Sequence, residues 1–151
     1  METKFNSQIC TTREQSERLL ALGLKKETAD YYYWQETDQY GDGNGKFHLE
    51  LLAQNREHAK YLDECFGVCL EADEEHYFIP AWSLHRLIEM MPEEMYGGLL
   101  CIFKDSIRYE EIIMDRLEAH FEVVGDNMYE NVISTIEWLI KEGYFNKEYL
   151  V

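Results

Sequence analysis

Two histidines and two cysteines are the residues of this chain best suited to hold a metal ion. His58, Cys65, Cys69 and His76 lie within twenty residues of one another, and imidazole nitrogens and thiolates are ligands that zinc prefers. Their spacing matches no usual zinc module, because such modules mostly separate their cysteines by two residues. Buried thiols also serve as small apolar residues. We therefore predict no metal or cofactor, and leave open whether the four side chains come together.

A glycine-rich segment, Gly41–Lys46 (GDGNGK), resembles a phosphate or calcium loop in composition but not in spacing. A P-loop needs four residues between its first glycine and the Gly-Lys pair, and then Ser or Thr. Here three residues intervene and Phe47 follows the lysine. An EF-hand loop begun at Asp38 would have Tyr40 and Leu49 at its third and twelfth positions, where oxygen ligands are required. The segment is predicted to be a hairpin loop.

Catalytic acid–base pairs cannot be singled out among the 30 carboxylates. The adjacent Glu110 and Glu111 point to opposite faces of a predicted strand, so they cannot form a dyad. The sequence contains no GxSxG or HExxH motif and no Ser or Cys nucleophile with an identifiable base. We predict that the protein is not an enzyme, and keep a small enzyme with an unrecognised site as an alternative.

Four consecutive aromatic residues, Tyr31, Tyr32, Tyr33 and Trp34, are the candidate protein-binding residues. Alternate side chains of a strand point to opposite faces, so either Tyr31 and Tyr33 or Tyr32 and Trp34 could stay exposed. Exposed Tyr and Trp are typical anchors of protein interfaces. An equally weighted alternative is that both faces of the strand are covered, as in a sheet between two layers.

The elements that position these residues begin with an N-terminal helical hairpin. Thr12–Leu24 is predicted to be a helix, with Thr12 and Gln15 as a capping box and Gly23 just beyond its C-terminus. Lys25–Asp30 is predicted to be a second, short helical turn.

A β-hairpin and a helix follow. The aromatic run and Phe47–Leu51 are predicted to pair as antiparallel strands. Gln54–Cys65 is compatible with a helix whose Ala59 and Leu62 face inward. The acidic cluster Glu71–Glu75 is predicted to be a solvated turn.

The central stretch from Tyr77 to Pro92 combines a strand and a helix. Sheet pairing is predicted to stop at Pro80, because proline cannot donate a ladder hydrogen bond. Ser83 is the predicted N-cap of a helix that ends at Pro92, since its apolar residues recur at helical spacing. Trp82, just before the cap, is predicted to be a core anchor.

The C-terminal part is predicted to be an antiparallel meander and a helix. Leu99–Phe103, Ile107–Ile113 and His120–Val124 have the composition of strands, and Asn127–Glu142 has that of an amphipathic helix. Residues 1–151 are thus predicted to form a single α+β domain in which helices pack on an antiparallel sheet.

Charge and hydropathy exclude several classes of partner. The chain has 14 basic and 30 acidic residues, a net charge of −16. Direct nucleic-acid binding needs clustered Lys and Arg, which are absent outside the pair Lys25 and Lys26. No apolar run approaches the roughly 18 residues of a membrane span, and the N-terminus lacks signal-peptide features. We expect a cytoplasmic protein without membrane contact, whose four cysteines are free thiols.

Two motifs carry a resemblance to a known group of proteins. TREQSERLLALGLKKETAD near the N-terminus and IPAWSLHRLIEMMP in the middle, together with the closing helix before GYF, resemble small acidic proteins of phages and integrated mobile elements of gut bacteria. The resemblance implies a biological context but no activity and no site residue.

Two functional hypotheses follow from these observations. The first is a non-catalytic accessory or regulatory protein that binds another protein through the aromatic strand and the acidic surface, with a homodimer as a further alternative. The second is an acidic decoy that imitates the phosphate array of DNA and occupies a DNA-binding enzyme, which requires carboxylates spaced as in a duplex.

Overall fold

The computed structural model describes residues 7–35, 47–52, 54–66 and 78–151. It confirms the predicted α+β class, with helices and antiparallel sheets. The chain divides into two compact units. The first comprises Met1–Glu17 and Lys26–Ser83, and the second Arg18–Lys25 and Leu84–Val151. That residues 1–151 form a single domain stays a prediction.

The described elements follow the predicted order closely. The helices are α1 (Arg13–Ala21), α2 (Arg56–Phe66), α3 (Leu84–Met90) and α4 (Met128–Glu142), with short 3-10 turns at Lys26–Thr28 and Lys147–Tyr149. The strands are β1 (Tyr31–Gln35), β2 (Phe47–Leu51), β3 (Phe78–Ala81), β4 (Glu94–Met95), β5 (Gly98–Ile102), β6 (Ser106–Ile113) and β7 (Arg116–Val124). Within the described ranges, no helix is long and apolar enough to cross a bilayer.

Helix α1 uses its predicted capping box, and α4 is capped at both ends. Thr12 and Gln15 bond reciprocally at the start of α1, each side chain accepting a hydrogen bond from the other's backbone N–H. Gly23 follows α1 with a φ of 97° and donates its N–H to Leu20 O. At α4, Asn127 Oδ1 accepts from Glu130 N, and Gly143 takes a φ of 81° beyond the last turn. These caps satisfy backbone groups that the helix ends leave unpaired.

The first unit is built on an antiparallel sheet of strand order β2-β1-β3. The prediction that pairing stops at Pro80 is wrong, because Pro80 lies opposite Tyr32 and Ala81 opposite Tyr31. Strand β3 has a strand neighbour on one side only among the described elements. An edge strand tolerates proline, since the missing N–H need not interrupt a ladder.

One face of this sheet packs against α2. Tyr32, Ala59, Leu62 and Phe78 are buried together, and Trp34 packs against them. The predicted inward positions on α2 are therefore confirmed. Their spacing of three residues places Ala59 and Leu62 on the same side of the helix.

Trp82 is fully buried, which confirms its predicted role as a core anchor. Its indole Nε1 donates to Thr28 Oγ1 at 2.9 Å. Its backbone N donates to Thr11 Oγ1 at 3.0 Å, and its backbone O accepts from Thr11 N at 2.8 Å. The following residue, Ser83, donates both its N–H and its hydroxyl to the carboxylate of Asp30. Buried polar groups of this kind are stable only when each has a partner.

The second unit is built on an antiparallel meander of order β4-β5-β6-β7. The short strand β4 was not predicted, and β7 begins at Arg116 rather than His120. Two tight turns connect the strands. The pairs Tyr96–Gly97 and Met114–Asp115 both have positive φ values, as a two-residue type I′ hairpin turn requires.

Helix α4 covers one face of the meander. Of its predicted apolar face, Val132, Ile133, Ile136 and Leu139 are fully buried and Ile140 is half-buried. The ring of Trp138 stacks on Phe121 of β7, with 4.5 Å between the ring centroids.

We expect the hydrogen bond between Trp82 and Thr28 to contribute measurably to stability. Trp82→Phe should lower the free energy of unfolding by about 1 to 3 kcal/mol, because it leaves a buried hydroxyl without its donor and a small cavity beside it. Urea unfolding of Trp82→Phe, Thr28→Val and the double variant measures this. The two effects should be non-additive; additive losses would mean that the two side chains do not interact.

Candidate protein-binding surface

The predicted binding residues of β1 are buried or half-buried in the first unit. Tyr32 is buried, and its hydroxyl lies 2.8 Å from His58 Nδ1. Tyr33 is half-buried, and its hydroxyl donates to Thr11 O at 3.0 Å. Tyr31 is also half-buried. Tyr32 thus belongs to the core, and a binding role for the other aromatic residues stays a prediction.

Trp34 is held between two imidazole rings. It stacks on His48 with 4.4 Å between ring centroids and meets His58 edge-on at 4.8 Å. These contacts lie on one face of β1, and on the other face the Tyr33 hydroxyl contacts Cys10 Sγ and Thr11 O. Much of the indole surface is used within the protein.

Several other candidate residues fall outside the described part of the chain. These are the loop Gly41–Lys46, the acidic cluster Glu71–Glu75, and the possible zinc ligands Cys69 and His76 with the side chain of Cys65. His58 is described and bonds Tyr32. Among the described side chains, no three His, Cys, Asp or Glu residues are grouped to hold a metal ion.

The two adjacent glutamates take different partners, as predicted for a strand. Glu110 accepts a hydrogen bond from Arg108 at 3.1 Å. Glu111 Oε2 lies 2.8 Å from His120 Nε2 on the neighbouring strand. Each carboxylate therefore has its own side-chain partner.

The thiols that the structure describes are not activated. Burial raises the pKa of Cys10, although its contact with the Tyr33 hydroxyl acts in the opposite direction. Desolvation and then Glu110 raise the pKa of Cys101. Both residues are free cysteines, and a raised pKa keeps them in the weakly nucleophilic thiol form at neutral pH.

Several exposed apolar side chains lie on the second unit, on the sheet face opposite α4. Directly paired residues of neighbouring strands point to the same side. The pairs Leu99↔Glu110, Cys101↔Arg108, Arg108↔Glu122 and Ile112↔Leu117 therefore share one face. We call it the outer sheet face. Its exposed apolar side chains are Leu99 (54%), Phe103 (46%), Ile112 (73%), Leu117 (68%) and Val124 (64%).

Arg108 organises the polar centre of the outer sheet face. Its Nη1 lies 3.1 Å from Glu110 Oε1, and its Nε lies 2.5 Å from Glu122 Oε2, an ion pair without hydrogen-bond alignment. The guanidinium carbon lies 5.2 Å from the centre of the Phe103 ring. The hydrogen bond with Glu110 raises the pKa of Arg108. The guanidinium is thus charged and fixed in position.

Three exposed apolar side chains lie in or near the turn of the β6–β7 hairpin. Ile112 and Leu117 pair directly across the hairpin, and Met114 occupies the turn between their strands with 93% of its surface exposed. We call Ile112, Met114 and Leu117 the hairpin tip. Several exposed apolar residues at one end of a sheet are typical of a binding site.

Neither surface was identified from the sequence. Leu99–Phe103 was correctly predicted to be a strand, but a continuous apolar run does not reveal which residues face solvent. Leu117 and Met114 were not assigned to a strand or a turn. The signal in the sequence was the pair Met114–Asp115, which separates Ile113 from Arg116. It is hard to recognise because this turn lacks the Asn-Gly pair that usually marks a type I′ turn.

No protein-family model, curated protein or solved structure matches this chain. The positions and environments of its own side chains therefore carry the functional inference.

Matched substitutions on β6 should separate the two faces of the sheet. Ile112→Thr should change the free energy of unfolding by no more than about 0.5 kcal/mol, because the side chain is already in water. Ile107→Thr, at a fully buried position on the same strand, should cost about 2 kcal/mol or more, because it buries a hydroxyl. Urea unfolding checks both values. Similar losses would mean that Ile112 is covered.

Alkaline pH should weaken the first unit through Tyr32. Burial, and then the charge of Glu50, raises the pKa of Tyr32 from 10.0 to about 12. The unfolded chain therefore ionises first, and the stability contributed by the neutral hydroxyl is lost as pH rises from 10 towards 12. The stability difference between wild type and Tyr32→Phe should narrow between about pH 8 and about pH 11. A constant difference in urea unfolding would contradict this assignment.

Proposed function

We propose that the protein is a non-catalytic accessory or regulatory protein that acts by binding another protein through the outer sheet face. The observation that carries this proposal is the presence of five large apolar side chains, all at least 46% exposed, on one face of one sheet. Single exposed apolar residues are ordinary on protein surfaces. A set of them on one rigid face is typical of an interaction site.

The composition of this face supports a protein partner. Protein interfaces combine aliphatic and aromatic side chains with Arg, and depend on anchors that are already fixed in position. Leu99 and Phe103 supply apolar contact area, and Arg108 supplies a charge held by two carboxylates. Burial of exposed apolar surface is worth roughly 25 cal/mol per Å² before the costs of association are subtracted.

The acidic-decoy hypothesis fits this face less well. Imitation of a phosphate array requires unpaired carboxylates in a regular row. On the outer sheet face, Glu110 and Glu122 are both paired with Arg108, and apolar side chains surround them. We include a cytoplasmic location in the proposal because Cys10 and Cys101 are free thiols, which are typical of a reducing compartment.

The test compares matched exposed positions in the full-length chain. The partner captured by the wild-type protein is identified, purified and titrated calorimetrically against each variant. We expect Leu99→Ser combined with Phe103→Ser to weaken binding at least tenfold, because both remove apolar contact area. Tyr61→Ser is the control, since Tyr61 is an exposed aromatic residue on α2, and it should leave the affinity within about twofold.

Two results would count against the proposal. If the outer-face variants bind as tightly as the wild type, the partner uses another surface. If sedimentation shows that the purified chain forms a dimer that the Leu99 and Phe103 substitutions dissociate, the face is an interface between copies of this chain.

A further inference from the structure

We infer that the hairpin tip inserts into an apolar cleft of the partner protein, and that the rim of this cleft carries Lys and Arg. This inference rests on the proposed function and assigns the partner's chemistry. The apolar side chains of the hairpin tip contact the floor of the cleft, and the acidic side chains beside the tip contact its basic rim.

Two independent features of Met114 are energetically unfavourable in the isolated protein. Its side chain is 93% exposed, so it gains almost no contact within the chain. Its φ is 49°, in the left-handed region that Gly, Asn and Asp adopt readily but that is strained for Met. Strain that persists on an exposed residue is often kept for function.

The other type I′ turn of the same sheet shares the backbone conformation but differs in side-chain contacts. Tyr96 at its first position also has a φ of 49° and is 76% exposed. The ring of Tyr96 meets Tyr144 edge-on, however, with 5.2 Å between centroids. Tyr96 therefore has an aromatic partner within the chain, whereas the Met114 side chain is almost wholly surrounded by solvent.

The hairpin presents the tip as a rigid projection. Strands β6 and β7 pair from Ser106↔Val124 to Ile113↔Arg116, so hydrogen bonding continues to the turn. Ile112 and Leu117 lie opposite each other in the second residue pair from the turn. A projecting apolar tip needs a concave partner surface to bury all three side chains. Methionine is suited to the end position, because its flexible thioether adapts to irregular pockets.

The negative charge beside the hairpin tip indicates that the rim of the cleft is basic. The whole β6–β7 hairpin, residues 106–124, has two basic residues (Arg108 and Arg116) against five acidic ones (Glu110, Glu111, Asp115, Glu118 and Glu122), a net charge of 2 − 5 = −3 even with the ion pairs of Arg108 included. A rim of Lys and Arg complements this charge and speeds encounter. A second copy of the chain is disfavoured as the occupant, because its own net charge is −16.

Insertion of the hairpin tip into a cleft fits the structure better than pairing of a partner's strand with the edge of β7. Among the described strands, β7 has a neighbour on one side only. However, the β6–β7 register shifts at Tyr109/Glu110, and β7 carries Glu118, His120 and Glu122. Bulges and charged side chains are features that protect a strand edge from pairing.

The test uses the full-length chain and the purified partner protein from the preceding experiment. We expect both Met114→Ser and Met114→Gly to weaken binding at least tenfold, because both remove the thioether. Met114→Gly should at the same time raise the unfolding midpoint in urea, because glycine adopts this φ without strain. Lower affinity together with higher stability is a result that a purely structural role does not produce.

Control variants address the turn and the charges. Tyr96→Ser alters an exposed residue of the other type I′ turn and should change the affinity less than twofold. Glu118→Gln should reduce the salt dependence of binding, because it removes one charge that faces the basic rim. Benzoylphenylalanine placed at position 114 should crosslink, on irradiation, to residues that line a cleft of the partner.

The outcomes distinguish this inference from the proposed function. If the Leu99 and Phe103 variants lose binding but the Met114 variants do not, the tip does not insert and the outer-face proposal stands. If none of these variants loses binding, both fail. A crosslink from position 114 to a second copy of the chain, to a flat or acidic partner surface, or to no protein would overturn the inference.

Discussion

Strand β6 has apolar side chains on both of its faces, but helix α4 covers only one of them. Ile107 and Tyr109 point towards the helix and are fully buried, whereas Ile112 lies on the opposite face and is 73% exposed. One amphipathic helix cannot cover both sides of a sheet. The outer sheet face is therefore left to water or to a partner.

The ion pairs of Arg108 keep this open face in one arrangement. Glu110 and Glu122 approach the guanidinium from its own strand and from the next, and Phe103 lies beside it. An exposed ion pair contributes little to stability by itself. Here the ion pairs hold the guanidinium in one position among apolar side chains. Less conformational entropy is therefore lost when a partner binds.

The first unit uses its aromatic residues differently. Tyr32, Trp34 and Trp82 all have contacts within the unit, with His58, His48 and Thr28. A buried aromatic residue with a polar group usually needs a partner for that group. Thr28 and Thr11 supply partners for Trp82, whereas Trp34 Nε1 is buried without a hydrogen-bond partner among the described residues. These residues hold the fold, and the open apolar surface lies elsewhere.

The sequence by itself determined the local structure. The capping box at Thr12, the stop at Gly143 and the buried face of α4 depend on residues within one or two turns of helix. It could not determine which face of each strand is covered, because alternation gives two faces but not their neighbours. Tertiary structure buried Tyr32 and left Ile112, Met114 and Leu117 exposed, since burial depends on where α2 and α4 pack. The same limit applies to Pro80, because an edge position is a property of the assembled sheet.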